Sequence, residues 1–319
     1  MYNTLNKLLK VTALASGEKN ITSVIGEMMA DCCDKIYTDP LGNLICVKYG
    51  NGENKQKIML SAHADECGFA VTFVNEDGTL LIDASGEADL TSAAYGDVVF
   101  ENGTRGILIP DSKELSVRKM HIDIGAKNRA DAYKKVREGD FCAPAHRLLR
   151  QNGKFIGTAL DSRVPCAILI ETAHSVTDIE NDIYYVFTAH ETVGSRGAYA
   201  AAVNVAPHIA ITVSLSDASV IKAGKLGVRY KDTRAVCDRA LAENIENIAR
   251  SISVPTQSEI NTKQNSDAFA VQSVLAGARV SGISISAERL NTSAETVYIK
   301  DCETAIKLCT AIIGGKNEL

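Results

Sequence analysis

Residues 157–215 read GTALDSRVPCAILIETAHSVTDIENDIYYVFTAHETVGSRGAYAAAVNVAPHIAITVSL. A turn at Asp161 leads into a helical stretch, Arg163–Ser175. The apolar run Ile183–Ala189 reads as a buried strand, a second helix runs from about Gly197 to Asn204, and another strand follows at His208–Leu215. Parallel neighbouring strands need a long crossover, usually a helix, so this alternation predicts an α/β fold with a mostly parallel sheet. The pattern continues with a helix at Ala235–Ser251, a strand at Arg279–Ile285 and a last helix at Cys302–Ile313.

Working back from Gly157, the character of the chain changes. Between residues 67 and 156 the segments Phe69–Val74, Thr79–Ile82, Asp97–Phe100, Gly106–Ile109 and His121–Ile124 are short and strand-like, with Gly or Asn-Gly turns between several of them. Only Asn128–Glu138 has a helical pattern, so the segment predicts a small β-rich module. Further upstream, helical patterns at Asn3–Ala15 and Ile21–Lys35 flank Ser16-Gly17. The apolar runs Leu44–Val47 and Ile58–Ala62, separated by Tyr49-Gly50-Asn51-Gly52, predict a hairpin or adjacent strands. The expected organisation is one α/β domain, residues 1–66 and 157–319, interrupted by a β-rich insertion over 67–156.

Composition narrows the classes. A chain of 319 residues suits about two domains. With 45% apolar and 23% charged residues it can bury a full core. The formal charge of −5, with both signs interspersed, gives no basic footprint for nucleic acid. Absence of Trp weakens a glycosidase reading, which needs a sugar platform beside its two carboxylates. No apolar run reaches membrane-spanning length. The nine cysteines include no CxxC and sit mostly in apolar runs, so reduced core thiols and a cytoplasmic location are expected.

Four strand ends or turns carry polar residues where α/β sheets place their chemistry. His63 with Asp65, in Ser61-Ala62-His63-Ala64-Asp65-Glu66, suits a metal-ligating imidazole oriented by a carboxylate, or a structural histidine. Asp161 stands at the mouth of a helix, where an ordinary N-cap is the alternative. Glu191, beside a Gly-containing turn, is placed to activate water. Ser266-Asp267-Ala268 again precedes a helix. Ser61, Ser214 and His63 raise a Ser-His-Asp alternative, but no GxSxG elbow occurs.

In order and context these segments resemble the tetrahedral aminopeptidase family, cocatalytic-metal peptidases also labelled endoglucanases or glutamyl aminopeptidases. The matching stretches are Leu41-Gly42-Asn43-Leu44-Ile45, Ala62-His63-Ala64-Asp65-Glu66-Cys67-Gly68-Phe69, Ile122-Asp123-Ile124-Gly125-Ala126, Ala159-Leu160-Asp161-Ser162-Arg163, the Glu191 to Ala198 turn, and Ser266-Asp267-Ala268. The resemblance implies a peptidase domain carrying a β-barrel, PDZ-like insertion. It also implies self-association, typically as dodecamers, and peptides as substrates or ligands. By the same resemblance His63 falls on a metal ligand, Asp65 on the acid orienting it, Asp161 on the bridging ligand and Glu191 on the general base.

Three further positions depart from the family pattern. Thr192, Ser214 and Thr292 stand where a Glu, an Asp and a His ligand are expected. Neutral hydroxyls are poor ligands for zinc or cobalt. At most one divalent transition metal per chain is therefore expected, or none, with His190 and Asp217 as candidate substitute ligands. Two outcomes stay open: an aminopeptidase removing N-terminal residues from peptides, or a non-catalytic relative that binds peptides or serves assembly.

Overall fold

The computed structural model describes residues 1–274 and 276–314, so residues 315–319 of the expected C-terminal segment lie outside it. Its backbone is an eleven-stranded mixed sheet and a closed six-stranded barrel. Along the sheet the strands run Lys35–Thr38, Leu44–Lys48, Asp182–Thr188, Lys57–His63, Ile209–Asp217, Arg279–Glu288, Glu295–Tyr298, Lys154–Gly157 and Leu148–Gln151. The four from Asp182–Thr188 to Arg279–Glu288 are mutually parallel. Two more strands, Leu226–Lys231 and Thr256–Ile260, pair beside Arg279–Glu288. Helices close both faces, and this is the α/β architecture the alternation predicts.

One expected pairing is corrected. The runs Leu44–Val47 and Ile58–Ala62 are not neighbours, because Asp182–Thr188 inserts between them, antiparallel to the first and parallel to the second. The inserted strand is buried along most of its length, through Ile183, Tyr185, Val186 and Phe187, so it belongs in mid-sheet and not at an edge. A long apolar strand gains more from two covered faces than a short hairpin gains from its turn.

The barrel strands are Gly68–Val74, Leu80–Ser85, Met120–Asp123, Arg105–Pro110, Asp97–Phe100 and Phe141–Pro144, in that spatial order. They alternate buried and accessible positions, and Phe69, Leu80, Phe100, Leu108 and Ile122 fill the interior. The next hairpin, Leu148–Gln151 with Lys154–Gly157, joins the large sheet through Glu295–Tyr298. The helix expected over Asn128–Glu138 is a single turn, Arg129–Ala132, capped by the Asn128 side chain.

On one face of the sheet the helices Leu160–Ser175, Arg239–Ser251 and Ile299–Gly314 pack into one core with the two N-terminal helices, Tyr2–Leu8 and Lys19–Met29. Helix Arg239–Ser251 buries Leu241, Ala242, Ile245, Ile248 and Ala249, the i, i+3, i+4 spacing of one face. Asp238 caps it by accepting from the Leu241 N–H at 2.7 Å. Asp238→Ala is expected to cost about 1 kcal/mol of stability, read as a shift in the urea midpoint; an unchanged midpoint would show that the cap adds nothing to stability.

Among the described residues no helix is long and apolar enough to cross a membrane. All nine cysteines are unpaired, six of them buried.

Candidate functional site

The C-terminal ends of the parallel strands open into a cleft of about 330 Å³. This is where open α/β sheets place ligands, because chain leaving the strand ends turns away and exposes its loops. His63 ends one strand and Glu191 follows another, while Asp161 stands at the start of helix Leu160–Ser175 and Asp267 at the start of helix Ala268–Gln272. Three loop residues around it, Ala159, His190 and Ser195, take left-handed backbone angles, with φ of 52°, 56° and 52°. Such conformations persist where surrounding structure enforces them, as at binding sites.

His63 is the hub. Its Nε2 lies 3.1 Å from Asp161 Oδ1, and its Nδ1 lies 3.1 Å from the Asp65 carbonyl oxygen and 3.9 Å from Glu191 Oε2. Both ring nitrogens face acceptors, an arrangement that only the doubly protonated ring fully satisfies. Burial pulls the imidazole pKa down, yet the surrounding Glu191, Asp161 and Asp65 outweigh it and hold the value well above that of ordinary histidine.

Asp65 is fully buried and outside the cleft wall. Its carboxylate accepts from Glu191 N (3.0 Å), Thr192 N (2.9 Å) and Thr192 Oγ1 (2.7 Å). Burial pushes its pKa up, but His63 and Thr192 outweigh that and keep it low. The Thr192 hydroxyl is thus a donor to Asp65. Ser214, on strand Ile209–Asp217, receives a 2.8 Å hydrogen bond from the Arg229 guanidinium. Thr292 donates to the Arg289 carbonyl at 2.7 Å and lines a smaller neighbouring cavity.

The two candidate substitutes lie elsewhere. His190 turns its backbone N–H and ring towards Glu18, and the Asp217 carboxylate accepts from Ser219 N at 2.8 Å. Neither lines the cleft, so the shifted ligand set His63, Asp161, His190 and Asp217 is not assembled. The loop backbone accounts for His190: the strand ends at Thr188, and His190 takes a left-handed φ of 56°. Cys67 does line the cleft, but burial pushes its thiol up to about 12, which keeps it protonated.

Two acids were legible only as other things. Asp267, in a position that reads as a helix cap, makes no cap hydrogen bond; its Oδ2 accepts from Thr188 Oγ1 at 2.6 Å, and Oδ1 is buried with no hydrogen-bond partner. Glu295, at the start of a strand absent from the sequence pattern, accepts from Asp161 N at 3.0 Å. The signal for either would have been an acid within a buried, otherwise apolar neighbourhood.

Burial pushes both Glu191 and Glu295 up to about 8, helped by neighbouring aspartates. Each therefore binds a proton in the folded chain that it releases when unfolded at neutral pH. The stability tied to these protons is fully present below the ordinary glutamate value of 4.5 and is lost as pH rises through about 8. Glu191→Gln is expected to flatten the fall in melting temperature between pH 6 and pH 9. An identical slope in the variant would contradict the raised value.

The residues present do not fit a two-metal centre. One of the expected carboxylate positions is a threonine donating to Asp65, and another is a serine already holding a guanidinium. Among the described residues no group of three or more His, Cys, Asp or Glu side chains is arranged to hold a metal ion.

Fold and cleft together define a peptidase-type α/β protein with a barrel insertion. The chain belongs to the M42 glutamyl aminopeptidase family, whose model matches residues 42–308. It is 32% identical to a putative aminopeptidase of Acetivibrio thermocellus over 98% of both chains. A TET aminopeptidase from a marine sediment archaeon, Thaumarchaeota archaeon SCGC AB-539-E09, superposes with a TM-score of 0.94 at 24% identity, covering 99% of this chain and 97% of that one. The TET1 peptidase of Pyrococcus horikoshii, which can assemble into a tetrahedron or a large octahedral shell, superposes at 0.89 with 26% identity, covering 100% and 99%.

Proposed function

We propose that this chain is a peptide-binding member of the family in which two-metal hydrolysis has been lost. The observation that carries the reading is the bond from Arg229 to Ser214: the position expected to supply a carboxylate ligand instead holds a hydroxyl that accepts from a buried cation. A metal ion brought next to that guanidinium would meet repulsion in place of a ligand. His63 and Asp161 together offer two protein ligands where catalytic zinc sites keep three, so the capacity for zinc or cobalt is at most one ion per chain.

The cleft retains what a peptide N-terminus needs. Asp161, Glu191 and Asp267 face one cavity, and Asp267 carries an unsatisfied buried oxygen. A substrate ammonium can satisfy such oxygens with charge-assisted hydrogen bonds. Likeness to the shell-forming TET1 peptidase supports self-association, with a dodecamer as the expected assembly. The unpaired thiols support a reducing, cytoplasmic setting.

Aminoacyl-chromogenic substrates with added Co²⁺ or Zn²⁺ test the reading. Turnover is expected near background; robust turnover abolished by Glu191→Gln would refute it. Light scattering that finds only monomers would remove the assembly inference.

A further inference from the structure

One wall of the cleft carries a row of hydroxyls that binding of a peptide N-terminus does not use. Thr212 and Ser214 lie two residues apart on one strand, so their side chains share a face. Ser61 is in register with Thr212 on the adjacent parallel strand, and Ser284 with Ser214 on the other side. Behind the row lies Arg229. Its Nη1 donates to Thr212 Oγ1 at 3.1 Å, and its Nη2 donates to Ser214 Oγ at 2.8 Å and to Ser284 Oγ at 2.5 Å. Its Nε donates to Glu259 Oε2 at 3.1 Å.

A guanidinium only donates, so it consumes acceptor capacity on these hydroxyls and leaves their protons. The Ser284 hydroxyl donates to Glu259 Oε2 at 2.6 Å. Thr212 and Ser214 line the cleft and have no acceptor of their own among the described residues. Ser61 lines the same wall, and its Oγ is buried with no hydrogen-bond partner at all. Gly282 makes the arrangement sterically feasible: a Cβ there would come within 2.8 Å of Thr212 Oγ1 and 2.9 Å of Arg229 Nη1. The positive end of the Arg229–Glu259 pair therefore points at two of these hydroxyl donors, Thr212 and Ser214, with Ser61 beside them in register, and in a dry wall such donors are strengthened. Lys263 adds an exposed ammonium at the rim, in electrostatic range of Asp217.

We infer that this hydroxyl row, backed by the Arg229 guanidinium, binds a carboxylate, so that the cleft takes a small zwitterion. The ligand ammonium meets Asp161, Glu191 and Asp267 on one side, and its carboxylate meets Ser61, Thr212 and Ser214 on the other. The chemical class is a free α-amino acid or a dipeptide whose own carboxylate lies inside the cleft. The inference deepens the peptide-binding reading and uses the same cavity, whose volume suits a ligand of that size.

Calorimetric titration of the full chain with L-leucine, L-leucinamide, the dipeptide Leu-Ala and Leu-Ala-Ala amide tests it. An acid is expected to bind about tenfold or more tightly than its matched amide, the difference made by hydrogen bonds to a charged group. Ser214→Ala and Ser61→Ala should each shrink the acid-to-amide ratio, and Ser214→Thr should keep it. The ratio within one variant does not depend on the fraction folded.

Equal affinity for leucine and leucinamide would overturn the carboxylate subsite, even if Leu-Ala-Ala amide binds and the peptide reading stands. Leucine preferred while Leu-Ala-Ala amide fails to bind would sustain the subsite and refute the peptide reading. The ranking of leucine against Leu-Ala identifies which zwitterion is held. No binding by any probe would overturn the inference.

Discussion

Arg229→Met is expected to lower the free energy of unfolding by about 3–5 kcal/mol, because it strands Glu259 as an unpaired buried charge. Arg229 is 3% exposed and Glu259 is fully buried. The guanidinium meets Glu259 and three hydroxyls, so its removal leaves four acceptors without their donor. Whole-domain stabilities are about 5–15 kcal/mol, so the loss would bring the chain close to unfolding at physiological temperature. The double variant Arg229→Met with Glu259→Leu should regain much of the loss, since replacing both partners removes the stranded charge. Urea titrations of the three variants, including Glu259→Leu alone, close the cycle. A single variant within about 1 kcal/mol of the parent would show that the pair is more hydrated than its burial indicates.

Arg163→Met should cost a comparable amount, again about 3–5 kcal/mol, and for a related reason at a different place. Arg163 is fully buried and donates to the Ala64 carbonyl at 2.6 Å, the Val11 carbonyl at 3.2 Å and Glu66 Oε1 at 2.7 Å. Glu66 also accepts from Ala13 N at 2.9 Å and faces His146 Nε2 at 2.5 Å. Burial pushes the Glu66 carboxyl up, but His146 and Arg163 outweigh it and keep it ionised.

This network ties together the N-terminal segment, the loop that follows His63, and both chain crossings into the barrel. Glu66 precedes the first barrel strand and His146 follows the last. Loss of Arg163 should therefore raise amide exchange at Ala64 and Glu66 more than in the barrel strands. Uniform protection across both regions would contradict this local role.

These two networks also show where sequence reading stops. The alternation over 157–215 was legible because each element there carries one simple burial pattern. The structure places strands at Asp182–Thr188 and Ile209–Asp217, close to the expected bounds. Strands Leu226–Lys231 and Thr256–Ile260 were not legible, because Arg229 and Glu259 break their apolar runs. The two charges neutralise each other across 30 residues of sequence, and no local pattern reports such a pairing.

The same limit applies to the cleft. His63, Asp161 and Glu191 sit at strand ends or helix mouths, where a polar residue after an apolar run is conspicuous. The departures at Thr192 and Ser214 were visible as residue types. What they do, one donating to Asp65 and the other receiving Arg229, depends on partners brought in from other strands and loops.

Metal content per chain tests the central claim most directly. After loading with Zn²⁺ or Co²⁺ and exhaustive dialysis, elemental analysis should find no more than one ion per chain, because Ser214 holds the Arg229 guanidinium where a second ion would need a carboxylate. Two ions per chain at full occupancy would contradict the account.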